Sequence, residues 1–196
     1  MKEYSYKSYQ YDVFCEHYFK YDRHNPFSIE PEKILVDCFD LIPSYVDTFI
    51  QFGCANGRDF IPFQDNFQCI GFDLAPLGYI EWVCKTKNLT YNQCSIEDYL
   101  DHFDHSNEDL SKCLVYTQGT LMYASEEYQN RFIQHLLDHN CKNIIIHEYP
   151  PEYAGPHEKF NPDPKYVNMF ERKHFRPLIG DQVIEDQPTG FIYLNK

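Results

Sequence analysis

Five short apolar runs, each followed by a polar turn and most of them by a segment of helical periodicity, constrain this chain more than any other feature. They are residues 47–53 (DTFIQFG), 67–73 (FQCIGFD), 89–93 (LTYNQ), 112–118 (KCLVYTQ) and 142–148 (KNIIIHE). Runs this short and this apolar suit strands buried on both faces. Between them, helices are expected at 58–65, 77–86, 96–103 and 125–140, the last with Tyr128, Phe132, Leu136 and Leu137 on one face. Strand-then-helix units repeated in this way make a parallel sheet with helices on both faces. The expected fold class is therefore α/β, a doubly wound and mostly parallel sheet.

The two ends depart from the alternation. Tyr4, Tyr11, Phe14, Cys15, Tyr18 and Tyr21 fall at helical spacings and predict an amphipathic N-terminal helix. A second helix starts near Ser28 or Ile29 with Pro31 in its first turn, presents Ile34, Leu35, Cys38 and Leu41, and ends at Pro43. Residues 1–45 thus read as a helical cap on a core of 46–196, together one domain, since 196 residues leave little room for two. Residues 149–164 are rich in Pro and acids and read as a long surface loop. A short helix at 165–174 and a C-terminal antiparallel hairpin of 182–186 with 190–195, turning at 187–189, complete the expectation.

In a doubly wound sheet a ligand lies beyond the carboxyl ends of the strands, where the strand order reverses. The loop after the first run, Gly53-Cys54-Ala55-Asn56-Gly57, occupies that position. Its glycines allow a tight turn and a close approach of backbone to ligand. Asp73 ends the next run, 20 residues after Gly53, where a carboxylate can accept both hydroxyl hydrogens of a ribose. A dinucleotide loop would read G-x-G-x-x-G; here the central glycine is missing and bulky Arg58 follows, while a nucleoside cofactor without a pyrophosphate remains compatible.

These residues resemble the class I S-adenosylmethionine-dependent methyltransferases. FIQFGCANGRDF is similar to the family's first motif, an acidic residue followed by alternating glycines; CIGFDLAP resembles the strand ending in the ribose-binding acid, and NQCSIEDYL the segment that borders the adenine. The resemblance spans roughly residues 11–148 and is densest over 49–76; the C-terminal hairpin agrees with the family's reversed last strand. It implies a Rossmann-like methyltransferase core, S-adenosylmethionine as cofactor and S-adenosylhomocysteine as product. It also implies that Gly53, Cys54, Ala55 and Gly57 line the methionine and ribose, that Asp73 binds the ribose, that Leu74 packs on the adenine, and that Ser95 and Ile96 close the adenine edge. Three positions depart from the pattern: Gln51 replaces the usual acid, Ala55 the middle glycine, and Ser95 the adenine-side Asp.

Methyl transfer asks the protein to position the acceptor, exclude water and, for oxygen or nitrogen acceptors, take a proton. His147 and Glu148, ending the fifth run, are the candidate bases, with His147 better poised near neutral pH. Tyr11, Tyr18 and Tyr21 are candidate walls of a substrate pocket, or simply a stripe packed on the sheet. The segment 115–123 lacks the D/N-P-P-Y/F signature of enzymes that hold a base amine.

A formal net charge of −13 without a broad basic stretch argues against nucleic acid and against an acidic membrane surface. No run reaches the roughly 18 apolar residues of a spanning helix, and MKEYSYKSYQYD lacks an apolar signal core, so a cytoplasmic protein with a small-molecule substrate is expected. No metal is expected either. His102 and His105 sit in an acidic stretch that reads as a solvated loop, and His135 and His139 lack the Glu of H-E-x-x-H and read as exposed helix-end residues. The eight cysteines show no C-x-x-C pair and read as buried thiols. The favoured function is methyl transfer to a small molecule or sugar-like metabolite. A non-catalytic S-adenosylmethionine-binding protein and a nicotinamide oxidoreductase are the alternatives.

Overall fold

The computed structural model of the protein describes residues 31, 35–36, 39–55, 57–74, 89–148, 160–161, 163–169, 171–173, 178–179, 182–183 and 190–194. The expected N-terminal helix with Tyr11, Tyr18 and Tyr21, the helix at 77–86 and most of the 149–164 loop lie outside these residues.

All five apolar runs are strands: β1 (Thr48–Phe52), β2 (Gln68–Asp73), β3 (Leu89–Gln93), then, after helix α1 (Ile96–His102), β4 (Cys113–Gln118), and, after α2 (Glu126–Asp138), β5 (Asn143–His147). These five pair in parallel. Further along come α3 (Pro164–Val167), β6 (Glu171–Lys173), β7 (Leu178–Ile179), β8 (Gln182–Val183) and β9 (Gly190–Leu194). The main sheet runs β3-β2-β1-β4-β5-β9-β6, with β9 antiparallel to both β5 and β6. The order reverses between β1 and β4, so the loops after those two strands flank the crevice where such sheets bind ligands.

Side chains alternate across the sheet, and each face has its own core. Ile50 and Phe52 of β1, Phe72, Val115, Ile144 and Ile146 face α1 and α2. On α2 the residues Gln129, Phe132, Ile133 and Leu136 are buried, a spacing that puts all four on one helical stripe. Phe49, Leu114, Tyr116 and Ile145 face the other way, toward Leu35, Phe60 and Phe63. The Phe49 and Phe63 rings stack with centroids 4.0 Å apart.

Local chemistry sets the helix ends. Ser95 caps α1 in a capping box with Asp98. Ser125 caps α2, accepting from the Tyr128 amide. At the far end of α2, Asn140 turns left-handed (φ 63°), and Cys141 N–H and Asn140 N–H donate to the carbonyls of Leu136 and Leu137, a Schellman stop.

Several boundaries differ from the sequence reading. The expected helix at 58–65 is a single 3-10 turn, Arg58–Phe60, followed by further turns. The helix expected to reach Pro43 gives way to a 3-10 turn, Phe39–Leu41, which leaves Leu41 exposed while Leu35 is buried. The helix expected at 165–174 stops at Val167, and Glu171–Lys173 is a strand that pairs with β9. The C-terminal antiparallel hairpin therefore joins β6 and β9, while Gln182–Val183 pairs with Leu178–Ile179 in a separate ribbon. A three-residue strand of Glu, Arg and Lys carries no apolar signal, and its pairing is set by β9.

Gly71, in the middle of β2, has no room for a side chain: a Cβ there would lie 2.8 Å from Cys54 Sγ and 3.1 Å from the Phe60 ring. Gly71→Ala should lower stability by about 1–3 kcal/mol. A Cys54→Ala background should restore part of that loss, measured as a double-mutant cycle of urea midpoints.

Candidate functional site

The loop after β1 is built to turn left-handed. Gly53, Ala55 and Gly57 all have positive φ (73°, 44° and 76°). Gly57 N–H donates to Cys54 O at 2.7 Å, closing the turn, and Gly53 N–H ties its start to Phe72 O on β2 at 2.7 Å. Asp73, 8% exposed, ends β2 beside this loop, and its Oδ2 accepts from Ala55 N–H at 2.6 Å. The glycine loop and its acid, 18 residues apart from Ala55 to Asp73, are thus one hydrogen-bonded unit.

The expected adenine edge sits next to Asp73. Cys94 N–H donates to Asp73 O at 3.0 Å, and Gln93 Nε2 donates to Leu74 O at 3.1 Å, bringing Leu74, Ser95 and Ile96 to the same end of the sheet. Tyr91 donates its hydroxyl hydrogen to Asp73 O at 3.0 Å, and burial beside the Asp73 carboxylate holds this phenol well above its usual pKa. Ser95 spends its hydroxyl on the Asp98 cap, donating to the carboxylate at 2.9 Å and accepting from the Asp98 amide at 3.1 Å.

The opposite wall of the crevice follows β4. Gly119 (φ 52°) leads into a 3-10 turn, Leu121–Tyr123, whose leading amides have no partners within the turn. Glu148 supplies them. Its carboxylate, 3% exposed, accepts from Thr120, Leu121 and Met122 N–H at 3.1–3.3 Å and from the Thr117 hydroxyl at 3.2 Å. Thr120 in turn abuts the glycine loop, because a Cβ on Gly53 would overlap the Thr120 hydroxyl. One carboxylate at the end of β5 therefore fixes the turn against which the left-handed Gly53 is packed. Burial pushes the pKa of Glu148 up to about 7, and its donors from Leu121, Thr120, Met122 and Thr117 offset that only in part.

His147, the other strand-end candidate, is half-buried, and its carbonyl accepts from Gly119 N–H at 2.9 Å. It pairs in register with Gln118, so it stands at the β4–β5 side of the crevice while Asp73 stands at the β2 side. The three tyrosines proposed for a substrate pocket lie outside the described residues.

Two arrangements were not anticipated from sequence. Gln51, 1% exposed, donates from Nε2 to Asp59 Oδ2 at 2.8 Å, and Asp59 is itself 2% exposed. A buried carboxylate thus lies beside the position where the family motif carries its acid; the only sequence hint was an acid directly after Arg58. The second is at the other end of the sheet. His135 is not an exposed helix-end residue, and the stretch around His105 is not wholly solvated. The side chains of His105, Glu108 and His135 turn inward, 17%, 21% and 11% exposed, and hydrogen-bond to one another. Their separations of 3 and 27 residues hid that convergence.

No protein-family model and no curated protein sequence matches the chain. Solved structures do. Magnesium protoporphyrin IX methyltransferase from Synechocystis PCC 6803, determined with bound S-adenosylmethionine, aligns with a TM-score of 0.60 at 14% identity, over 89% of this chain and 90% of that one. The bifunctional kinase-methyltransferase WbdD aligns with a TM-score of 0.58 at 11% identity, over 76% of this chain. Phosphoethanolamine N-methyltransferase 1 from Haemonchus contortus, in complex with phosphoethanolamine and S-adenosylhomocysteine, gives 0.54 at 14% identity over 74% of this chain. The chain has the class I methyltransferase fold. It spans about a third of the length of WbdD and of the Haemonchus enzyme, 35% and 33%, and most of the Synechocystis one. Among the described residues, no helix is long and apolar enough to cross a membrane.

Within this methyltransferase fold two outcomes can be measured. Ala55 occupies a left-handed conformation that costs a non-glycine residue about 1–2 kcal/mol. Ala55→Gly should relieve it and, after the greater chain entropy lost by glycine, raise stability by about 0.5–1 kcal/mol in chemical denaturation. Glu148 sets a pH dependence. The folded chain keeps its proton up to about 7, whereas the ordinary value is 4.5, so between those values the folded state holds more protons than the unfolded one. The stability linked to Glu148 is complete below the ordinary value and is lost as pH rises toward 7. The stability advantage of wild type over Glu148→Gln should shrink between pH 5 and pH 8, by on the order of 3 kcal/mol at most, read from urea midpoints.

Proposed function

We propose that this chain is an S-adenosylmethionine-dependent methyltransferase acting on a small molecule. The observation that carries the reading is the left-handed loop of Gly53, Ala55 and Gly57 at the reversal of strand order, hydrogen-bonded through Ala55 N–H to Asp73. Such a loop brings bare backbone to a ligand, and an acid at the end of the neighbouring strand suits a ribose diol. Gly53, Cys54, Ala55 and Gly57 would hold the methionine and ribose, Asp73 the ribose hydroxyls, and Leu74, Ser95 and Ile96 the adenine. Asp59 would provide, through Gln51, the buried negative charge that the motif's acid normally brings.

The cofactor supplies an electrophilic methyl group, so the work left to the chain is placement, desolvation and proton removal. The turn at 120–122 walls one side of the crevice. His147 is the better candidate to take a proton from the acceptor, because the Glu148 carboxylate is engaged by four donors and serves as an anchor. That engagement also favours a second reading, a module that binds the cofactor without turnover. A small or sugar-like metabolite fits the strongly acidic chain, which offers nothing to a polyanion.

Calorimetric titration separates the readings. S-adenosylhomocysteine should bind the wild type with one site and bind Asp73→Ala at least tenfold more weakly, and NAD should not bind. Binding of NAD without the homocysteine nucleoside would replace the reading with an oxidoreductase. Cofactor binding with no methyl transfer to a broad panel of small acceptors would select the binding module.

A further inference from the structure

The loop from 103 to 112 crosses the amino ends of the strands, on the side of the sheet away from the glycine loop, and meets the last turns of α2. There His105 Nδ1 lies 2.9 Å from Glu108 Oε2, and His135 Nε2 lies 2.7 Å from the same oxygen. The Tyr99 hydroxyl donates to the other carboxylate oxygen at 2.6 Å and fixes its orientation. His105 Nε2 is 2.9 Å from the Tyr99 carbonyl oxygen. A carbonyl can only accept, so Nε2 carries the ring hydrogen, and on a neutral ring Nδ1 then presents its lone pair to a carboxylate oxygen. Two acceptors at 2.9 Å need either a ring hydrogen or a cation between them.

A metal ion satisfies all of these groups together. An imidazole whose far N–H is fixed by a backbone carbonyl is the usual arrangement of a ligating histidine, and a carboxylate oriented by a phenol is its counterpart. The three ligand atoms lie within 4.8 Å of one another. A tetrahedral ion with bonds of about 2.0–2.2 Å spaces its ligands by roughly 3.3–3.6 Å, so small side-chain movements open the cluster enough to admit one. Two imidazoles with one carboxylate suit Zn²⁺. The buried thiols of Cys113 and Cys141 are not part of this group of ligand atoms.

We propose that His105 Nδ1, Glu108 Oε2 and His135 Nε2 form a Zn²⁺ site, with water in the fourth position, that clips the 103–112 loop to α2. The site is remote from the cofactor crevice and independent of its chemistry. Binding releases whatever proton lies between the imidazoles and the carboxylate, and closes a connection of 27 residues between Glu108 and His135.

The test uses the whole chain, stripped with a chelator and exchanged into buffer. Zn²⁺ should titrate in at one equivalent and raise Tm by roughly 5 °C or more at a hundredfold excess over Kd. Glu108→Gln and His135→Gln should each weaken binding at least tenfold and abolish the Tm shift, while exposed His102→Gln should retain both. If either variant folds poorly, Co²⁺ in the wild type gives the answer: a tetrahedral spectrum without thiolate charge transfer is expected. No saturable Zn²⁺ binding by the wild type, undiminished binding by both variants, or a thiolate band would overturn the site and leave the cluster held by hydrogen bonds alone. S-adenosylhomocysteine affinity should be the same with and without Zn²⁺, so failure of this site leaves the methyltransferase reading untouched.

Discussion

The crevice depends on one buried carboxylate. Of the three consecutive amides at 120–122, those of Leu121 and Met122 make buried bonds, and leaving either unpaired would cost about 1–3 kcal/mol. Glu148 satisfies all three and the Thr117 hydroxyl as well. Because β5 delivers that carboxylate from beneath the turn, the turn cannot drift, and Thr120 stays pressed against Gly53. The left-handed Gly53 after β1 and the Glu148 carboxyl group after β5 are thereby coupled across β4. A residue that chemistry alone would nominate as a base is better understood as the support for the wall.

The same logic resolves the departures from the glycine motif. Gln51 is neutral where an acid is usual, yet its amide delivers a hydrogen to Asp59, and the pair together places a carboxylate in that buried corner. Gln51 Oε1 has no hydrogen-bond partner among the described residues. That is a cost a Glu at 51 could not have avoided more cheaply, since two carboxylates at this separation would repel in a low-dielectric interior. Ala55 keeps the left-handed turn at a strain that glycine would escape, and its amide bond to Asp73 shows what holds it there.

How much of this was legible in the sequence depended on how local the cause was. β1, β2, β4 and β5 were readable because burial leaves nearly continuous apolar runs, the partly exposed edge strand β3 was readable from its place in the alternation, and the order reverses between β1 and β4, beside the glycine loop. Gly53, Gly57 and Asp73 were readable because the turn and its acid lie within one strand-loop-strand unit. β6 was not: Glu171, Arg172 and Lys173 carry no strand signal, and only pairing with β9 makes them one. Glu148 was legible as a strand-end acid but not as an acceptor, since nothing in KNIIIHE says that three amides 26 to 28 residues earlier will converge on it. His105 was read with His102 as a solvated loop and His135 with His139 as helix ends, because α1, β4 and α2 must pack before the side chains of His105, Glu108 and His135 meet.

The two ends of the sheet carry opposite burdens. At the carboxyl ends, Gly53, Ala55, Gly57 and Gly119 all adopt left-handed backbone, conformations with few intrinsic restraints that persist only when their surroundings over-determine them. At the amino ends, the Schellman stop of α2, the Tyr99–Glu108–His135 bonds and the loop that leads into β4 bind consecutive elements tightly to one another. Strain at a ligand crevice is tolerable when cooperative structure elsewhere supplies the stability, and α1 and α2, which run from the crevice to the His105 cluster, connect the two. The capping serines of both helices sit at the crevice end and their histidines at the other. The polarity of these helices is thus what allows one end of the domain to be shaped for a ligand while the other holds it together.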